Sequence, residues 1–392
     1  MTAYTAPAGP GAAGALTLTG GHLVTPRGPV DGWVHISDGI VIEIGTGSPP
    51  DTPATDVGGH WIVPGFVDIH CHGGGGGSFT SPDPHQVRAA VATHRAHGTT
   101  TMLASLVTAS VPDLVSQIGA LREQVSDGLL AGIHLEGPFL SAARCGAHDP
   151  SLLRPPDRRA IDRILTAGRG TVRMMTLAPE LDGAIPAVGH LTDHGVLAAV
   201  GHTDAVLEQV IPAVEAGATV ATHLFNGMPP LHHRAPGPVG ALLADERVTI
   251  ELICDLVHLH PTAARLAAQQ AGAGRTVAIT DAISATAAGD GTYELGPLAV
   301  TVTEGAPRLA DGSLAGSTLT MDAALRNLVT GCGLPITEAV LACSTTPAAL
   351  LGLSGSVGAL QPGLAADLVV LDADLRPRRI MKDGSWVPGT GG

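Results

Sequence analysis

Aromatic residues are almost missing from this 392-residue chain: they make up 2% of it, although 44% is hydrophobic. Valine, leucine, isoleucine and alanine must therefore fill any core, which suits barrel strands, whose inward layers are dominated by branched aliphatic side chains. Positive charge is scarce too. With 21 Lys and Arg against 35 Asp and Glu, the formal net charge is −14, and no basic cluster interleaved with aromatics occurs. Such a chain is not expected to partner nucleic acid, so an anionic ligand must be held locally, by a few side chains or backbone N–H groups. Lysine occurs once, at Lys382. The five cysteines, Cys71, Cys145, Cys254, Cys332 and Cys343, include no Cys-x-x-Cys pair. That argues against a disulfide framework and a thiolate zinc site, and it fits a reducing cytoplasm. The first 14 residues have neither the basic residue nor the apolar run of a signal peptide, and no later run is long enough to cross a bilayer. A soluble, cytoplasmic chain with no membrane partner is expected.

What the chain does contain is alternation. Apolar strand-like runs at 62–70, 99–105, 132–136, 172–178, 196–202, 218–223, 249–254 and 276–281 are separated by helical stretches such as 84–97, 111–125, 157–167 and 205–216. Eight such units predict an α/β fold, most simply a (β/α)8 TIM-like barrel. An open doubly wound sheet is the alternative. It lacks a Rossmann fingerprint here, because the glycines at 73–77 form one continuous block, which reads as a mobile loop near metal or substrate. Short strands at 15–47 and near 367–371 and 379–384 are too few for separate cores, so they are expected to pair into a small β-sandwich. The expected domains are 15–60 and 356–392 for that β-sandwich, and 61–355 for the catalytic barrel. The first dozen residues read as an unstructured lead, 293–314 as an inserted hairpin and 320–329 as a helix.

Several of the runs end in a residue that binds metal or moves protons. His70 and His72 close the first, Glu136 the third, His202 the fifth, His223 the sixth and Asp281 the eighth. In an extended chain, side chains at i and i+2 point the same way, so His70 and His72 project together while Cys71 packs on the opposite face. In a parallel barrel all C-terminal strand ends meet on one face, where active sites are built. Four histidines and two carboxylates therefore converge, a donor set without thiolate that suits zinc and also iron, manganese or cobalt.

These residues resemble the metal-dependent amidohydrolase superfamily, and within it the N-acetylglucosamine-6-phosphate deacetylases. The matching phrases are Pro64-Gly65-Phe66-Val67-Asp68-Ile69-His70-Cys71-His72-Gly73, His134-Leu135-Glu136-Gly137-Pro138-Phe139, Gly146-Ala147-His148-Asp149-Pro150, Gly201-His202-Thr203, Thr222-His223-Leu224-Phe225-Asn226-Gly227-Met228, Asp255 with His258, Thr280-Asp281-Ala282, Leu314-Ala315-Gly316-Ser317 and Pro362-Gly363-Leu364-Ala365-Ala366-Asp367. The bridging metal ligand in the superfamily is an acid or a carbamylated lysine; Lys382 lies near the C-terminus, which leaves Glu136. The resemblance implies hydrolysis of the acetamido group of a phosphorylated amino sugar, with one or two divalent metals on Glu136, His202, His223, His70 and His72. It implies Asp281 as proton shuttle and His148 as the group that polarises the substrate carbonyl. Asn226, Gly227, Arg234, Ala147 and His258 match substrate positions, with His258 supplied by a neighbouring subunit of a homodimer. Leu256 stands where the family usually has glycine, so another loop shape is expected around His258. A deacetylase of N-acetylgalactosamine 6-phosphate, a cyclic-amide hydrolase and a non-catalytic sugar-phosphate sensor are the alternatives; a sensor would have no need of Asp281.

Overall fold

The computed structural model describes residues 14–389, so the expected unstructured lead and the last three residues lie outside the described ones. The chain divides into two compact units. One comprises the described parts of Met1–Asp68, His94–Thr101 and Thr320–Gly392, the other Ile69–Thr93 and Met102–Leu319.

Eight strands form one sheet in chain order: β1 (Phe66–Asp68), β2 (Thr99–Leu106), β3 (Gly132–Glu136), β4 (Val172–Leu177), β5 (Leu197–Val200), β6 (Val220–Ala221), β7 (Thr249–Ile253) and β8 (Thr276–Ile279). Every neighbouring pair from β2 to β8 is parallel. Just past β1 and β8, Cys71 bridges Ala282 in parallel, while Asp281 N–H donates to His70 O and His72 N–H to Ala282 O, each at 2.8 Å. The sheet is thus a nearly closed barrel, as the alternation predicts. Strands such as β3 and β8 are buried along their whole length, which is why they read as short continuous apolar runs. Helices Pro84–Ala96, Val111–Ser126, Arg158–Gly168 and Leu207–Glu215 occupy the expected stretches. Asp157 caps the third, its carboxylate accepting from Ala160 N–H at 2.9 Å, and Ile161 and Ile164 turn inward one turn apart.

Four expectations change in detail. The run 62–70 is two strands that separate at Gly65: Trp61–Pro64 pairs antiparallel with Leu368–Leu371, and β1 begins at Phe66. Proline has no N–H to continue the ladder, so a Pro-Gly step is a natural place to change sheets. The insertion at 293–314 is a three-stranded meander, Gly291–Leu295, Leu298–Thr303 and Ala306–Arg308, because Glu304 and Gly305 make an extra turn with φ of 52° and 73°. Its apolar face packs Leu295, Val300 and Val302 with Val107, Ile283 and Ala315. The helix at 320–329 runs only from Met321 to Arg326 before it widens into a π-helical turn, Asn327–Gly331. The glycine block is pinned: Gly73–Gly74 pairs with Gly77–Ser78, and Gly75 and Gly76 N–H donate to Thr286 O and Ser284 O at 2.7 and 2.8 Å.

Both ends of the chain contribute to a second sheet. Its order is Ser385–Trp386, Pro377–Lys382, Leu368–Leu371, Trp61–Pro64, Leu16–Thr25, Gly28–Ser37 and Ile40–Gly45, with Ala54–Asp56 beside Leu16–Thr25. Leu18, Leu23, Ile36, Ile62, Val370 and Met381 share its core. Among the described residues all five cysteines are free, and no helix is long and apolar enough to cross a membrane.

The single lysine has a structural task. Lys382 Nζ lies 2.9 Å from Asp367 Oδ2, and Asp367 is 3% exposed. Removing one member of a buried pair strands the other, at ~3–5 kcal/mol. Asp383 N–H still donates to Asp367 at 2.8 Å. Lys382→Met should therefore lower unfolding stability by about 2–3 kcal/mol, measured in denaturant.

Candidate active site

The converging side chains come from one topological place. Glu136 closes β3, while His70, His202, His223 and Asp281 each stand two residues beyond β1, β5, β6 and β8. His202, His223 and Asp281 have φ of 46°, 27° and 51°. This left-handed backbone costs a non-glycine residue of order 1–3 kcal/mol and turns the side chain into the barrel mouth. Tertiary contacts hold it there. Asp281 N–H and C=O bond His70 O and Ser317 N–H at 2.8 and 2.7 Å, and His223 N–H donates to Glu251 Oε2 at 3.1 Å. Gly201, before His202, has no room for a Cβ, which would stand 2.6 Å from Thr222 Cβ.

Glu136 is 3% exposed and lies between two imidazole pairs. Its Oε1 is 2.8 Å from His223 Nε2 and 3.0 Å from His202 Nε2; its Oε2 is 3.2 Å from His72 Nε2 and 3.4 Å from His70 Nε2. Within each pair the Nε2 atoms are 3.1 Å apart. Asp281 Oδ1 joins the second pair, 3.2 Å from His72 and 3.5 Å from His70.

Hydrogen bonds at the far side of three of these rings, those of His70, His72 and His202, identify which nitrogen faces inward. His72 Nδ1 is 3.2 Å from Ser105 O and His202 Nδ1 is 2.8 Å from Arg144 O. Carbonyls only accept, so Nδ1 carries the proton and the neutral ring turns the Nε2 lone pair toward Glu136. His70 Nδ1 meets the Glu251 carboxylate at 3.2 Å with the same consequence. His148 is the reverse. Its Nδ1 accepts from Thr108 N–H at 3.3 Å, so Nε2 carries the proton and points at Glu136 Oε2, 3.5 Å away. His148 is therefore a donor into the site, whereas His70, His72, Glu136 and Asp281, and His202 with Glu136, bring donor atoms close enough to surround a divalent metal, and His223 faces the same carboxylate.

Electrostatics agree. Burial opposes charge on Glu136, but the imidazoles around it, His70 foremost, hold its pKa well below the usual carboxylate range. Burial likewise opposes charge on His70, and the Glu136 and Asp281 carboxylates overcome it and raise the pKa. The site stabilises positive charge in its centre. His148, by contrast, is pushed down to about 4 by burial, only partly offset by Glu136.

A cavity of about 250 Å³ opens over this cluster, lined by His72, Glu136, His148, His202, His223 and Asp281, with Ala147, Asn226, Gly227 and His258 among the other walls. His258 borders the cavity of its own chain, because Asp255 accepts from Val257 and His258 N–H and from His258 Nδ1 and so folds the loop inward. Leu256 there has φ of 66°, so leucine keeps the conformation glycine would adopt, at the usual left-handed cost. Arg234 is exposed and not among the cavity walls; no arginine or lysine lines the cavity among the described residues.

Sequence reasoning passed over Glu251, fully buried in β7, and His134, two residues before Glu136. His134 bonds Ser105 Oγ and Thr176 Oγ1, each at 2.9 Å, and burial holds its pKa well below the usual imidazole range. A lone acid or imidazole inside an apolar strand was the available signal.

A nearly closed parallel barrel with convergent imidazoles and carboxylates at its strand ends defines a metal-dependent hydrolase. Residues 61–387 match the amidohydrolase family. The chain is 47% identical to a mutant N-acetyl-D-glucosamine-6-phosphate deacetylase from Mycobacterium smegmatis in complex with N-acetyl-D-glucosamine-6-phosphate, with a TM-score of 0.93, covering 96% of this chain and 100% of that one. It is 36% identical to an Escherichia coli N-acetylgalactosamine-6-phosphate deacetylase, over 94% of this chain and 97% of that one. It is 35% identical to a Bacillus subtilis N-acetylglucosamine-6-phosphate deacetylase, over 88% and 89%. The chain belongs to the amidohydrolase family.

Because a metal binds the folded chain and not the unfolded one, zinc at 100 times its Kd should add about 2.7 kcal/mol of stability, seen as a rise in melting temperature that a chelator reverses. Glu136→Ala should abolish that rise.

Proposed function

We propose that the chain hydrolyses the acetamido group of N-acetyl-D-glucosamine 6-phosphate to D-glucosamine 6-phosphate and acetate, in amino-sugar catabolism. The observation that carries this reading is the opposite polarity of two neighbouring groups: imidazole lone pairs facing Glu136, and one imidazole, His148, facing the same carboxylate as a donor. The likeness to a deacetylase holding that substrate supports it.

Glu136, His202 and His223 would hold one divalent metal, and His70 and His72, with Glu136 and Asp281, would hold a second. Zinc is the favoured ion, with iron, manganese or cobalt as the alternatives. Such an ion supplies Lewis acidity, drawing the pKa of water toward ~7 and polarising a carbonyl. His148 Nε2–H donates to the substrate carbonyl oxygen as negative charge develops there. Asp281, whose pKa stays low despite burial because of His70 and His72, accepts the proton of the attacking water. It then returns that proton to the amine nitrogen, which leaves poorly without it.

Asn226, the Gly227 backbone, Ala147 and His258 receive the sugar phosphate. The chain acts as a homodimer with a substrate contact across the interface. Arg234 joins Asn226 and the Gly227 backbone as a phosphate contact, and the exposed Leu231, Leu256 and Val257 lie on the loops that carry Arg234 and His258. Residues 15–60 and 356–392 serve as the β-sandwich domain and 61–355 as the catalytic barrel, and the cytoplasm is the proposed location. A second reading, N-acetylgalactosamine 6-phosphate as substrate, is favoured by the 36% identical relative.

The test is acetate release from both 6-phosphates and from unphosphorylated N-acetylglucosamine. Release chiefly from N-acetylglucosamine 6-phosphate is expected; release chiefly from the galactose epimer would replace the first reading with the second. Asp281→Asn should lower kcat by about 10²–10⁴-fold with metal retained. Arg234→Gln should raise KM for the phosphorylated sugar about tenfold or more with kcat little changed.

A further inference from the structure

We propose that Glu251 is a positioning residue of the metal centre: it sets the orientation of His70 and ties together the two imidazole pairs that flank Glu136. The inference rests on the metal-site reading above.

Glu251 is the middle residue of β7, fully buried in a strand otherwise composed of Thr249, Ile250, Leu252 and Ile253. One oxygen, Oε2, is 3.2 Å from His70 Nδ1 and 3.1 Å from the His223 backbone nitrogen. His70 belongs to the pair that faces Glu136 Oε2, and His223 to the pair that faces Oε1. A single acceptor therefore serves both halves of the site. For His70 it requires the proton on Nδ1, which leaves Nε2 free to face Glu136 and Asp281 at 3.4 and 3.5 Å. For His223 it holds the amide of a residue whose φ of 27° histidine adopts only at a cost. His72 and His202 have backbone carbonyls in this role; for His70 the acceptor is a side chain.

Packing alone does not account for Glu251. Its Oε1 has no hydrogen-bond partner, so the strand carries a half-satisfied buried carboxylate where an apolar side chain of similar size would cost less.

The test is cobalt(II) titration of the full-length protein, read by visible absorption, with apo melting as a control. It compares wild type, Glu251→Gln, His70→Ala and the double variant. An amide of the same shape can turn its NH₂ toward His70 and admit the wrong ring tautomer. Glu251→Gln should therefore weaken cobalt binding about 10–100-fold and change the visible band, with the apo melting temperature unchanged. In the His70→Ala background the same change should add no more than about a twofold loss. Wild-type affinity and spectrum in Glu251→Gln would overturn the proposal, as would an equal loss in both backgrounds, the mark of a general structural role. If Glu251→Gln does not fold, Glu251→Asp, which withdraws the carboxylate from His70, should show the same loss, and wild-type binding in it would overturn the proposal. The readout is cobalt binding, so a chain that deacetylates neither sugar phosphate would lose its proposed substrate and leave this result standing.

Discussion

A carboxylate buried at the mouth of a barrel is the constraint on which the rest of this structure depends. Isolated, the Glu136 anion would be costly to bury, by several kcal/mol even after relaxation. Five imidazoles within 3.5 Å make it tolerable, and four separate segments of the chain deliver them. The strained backbone at His202, His223 and Asp281 follows from the same demand. Two residues past a strand, an ordinary extended chain would continue along the barrel wall; a left-handed step turns the side chain toward the axis. The barrel supplies the rigidity that such strain requires, since its strand ends are locked by parallel neighbours on both sides.

Beneath the cluster lies a layer of polar side chains that orient it. Ser105 Oγ accepts from Cys71 N–H and meets His134 Nδ1; His134 Nε2 meets Thr176 Oγ1, which bonds Thr222 Oγ1 at 2.8 Å. Inward-facing residues of a barrel usually make apolar layers. Here one layer is given over to hydrogen bonds that run from the segment after β1 through β2, β3 and β4 to the residue before His223. The converging side chains thus rest on a network rather than on packing alone, and that network is where specificity of orientation resides.

Most of the architecture was legible because the barrel is built from short apolar runs whose last residues are polar. The pattern of those runs located β2 to β8 and four of the helices to within a few residues, and the recurrence of His, Glu and Asp at run ends singled out the cluster that the structure brings together. What escaped has identifiable physical causes. The run 62–70 is continuous in hydropathy, yet the Pro64-Gly65 step divides it between two sheets. Glu251 and His134 sit inside strands, where pattern reading registers only apolar neighbours; their partners lie on other strands and cannot be read from spacing. Leu256 was expected to reshape its loop, but three bonds to Asp255 hold the backbone in the conformation that glycine would take. The Asp255 turn, which residue spacing does not reveal, brings His258 to the cavity of its own chain.

The account stands most directly on the claim that Glu136 centres a divalent metal. Crystals of the zinc-loaded protein, measured on both sides of the zinc absorption edge, locate that ion without reference to activity. The account predicts an anomalous peak at coordination distance, about 2.0–2.2 Å, from Glu136 and from the Nε2 atoms of His202 and His223. With zinc in excess, a peak elsewhere in the chain and none at Glu136 would contradict it.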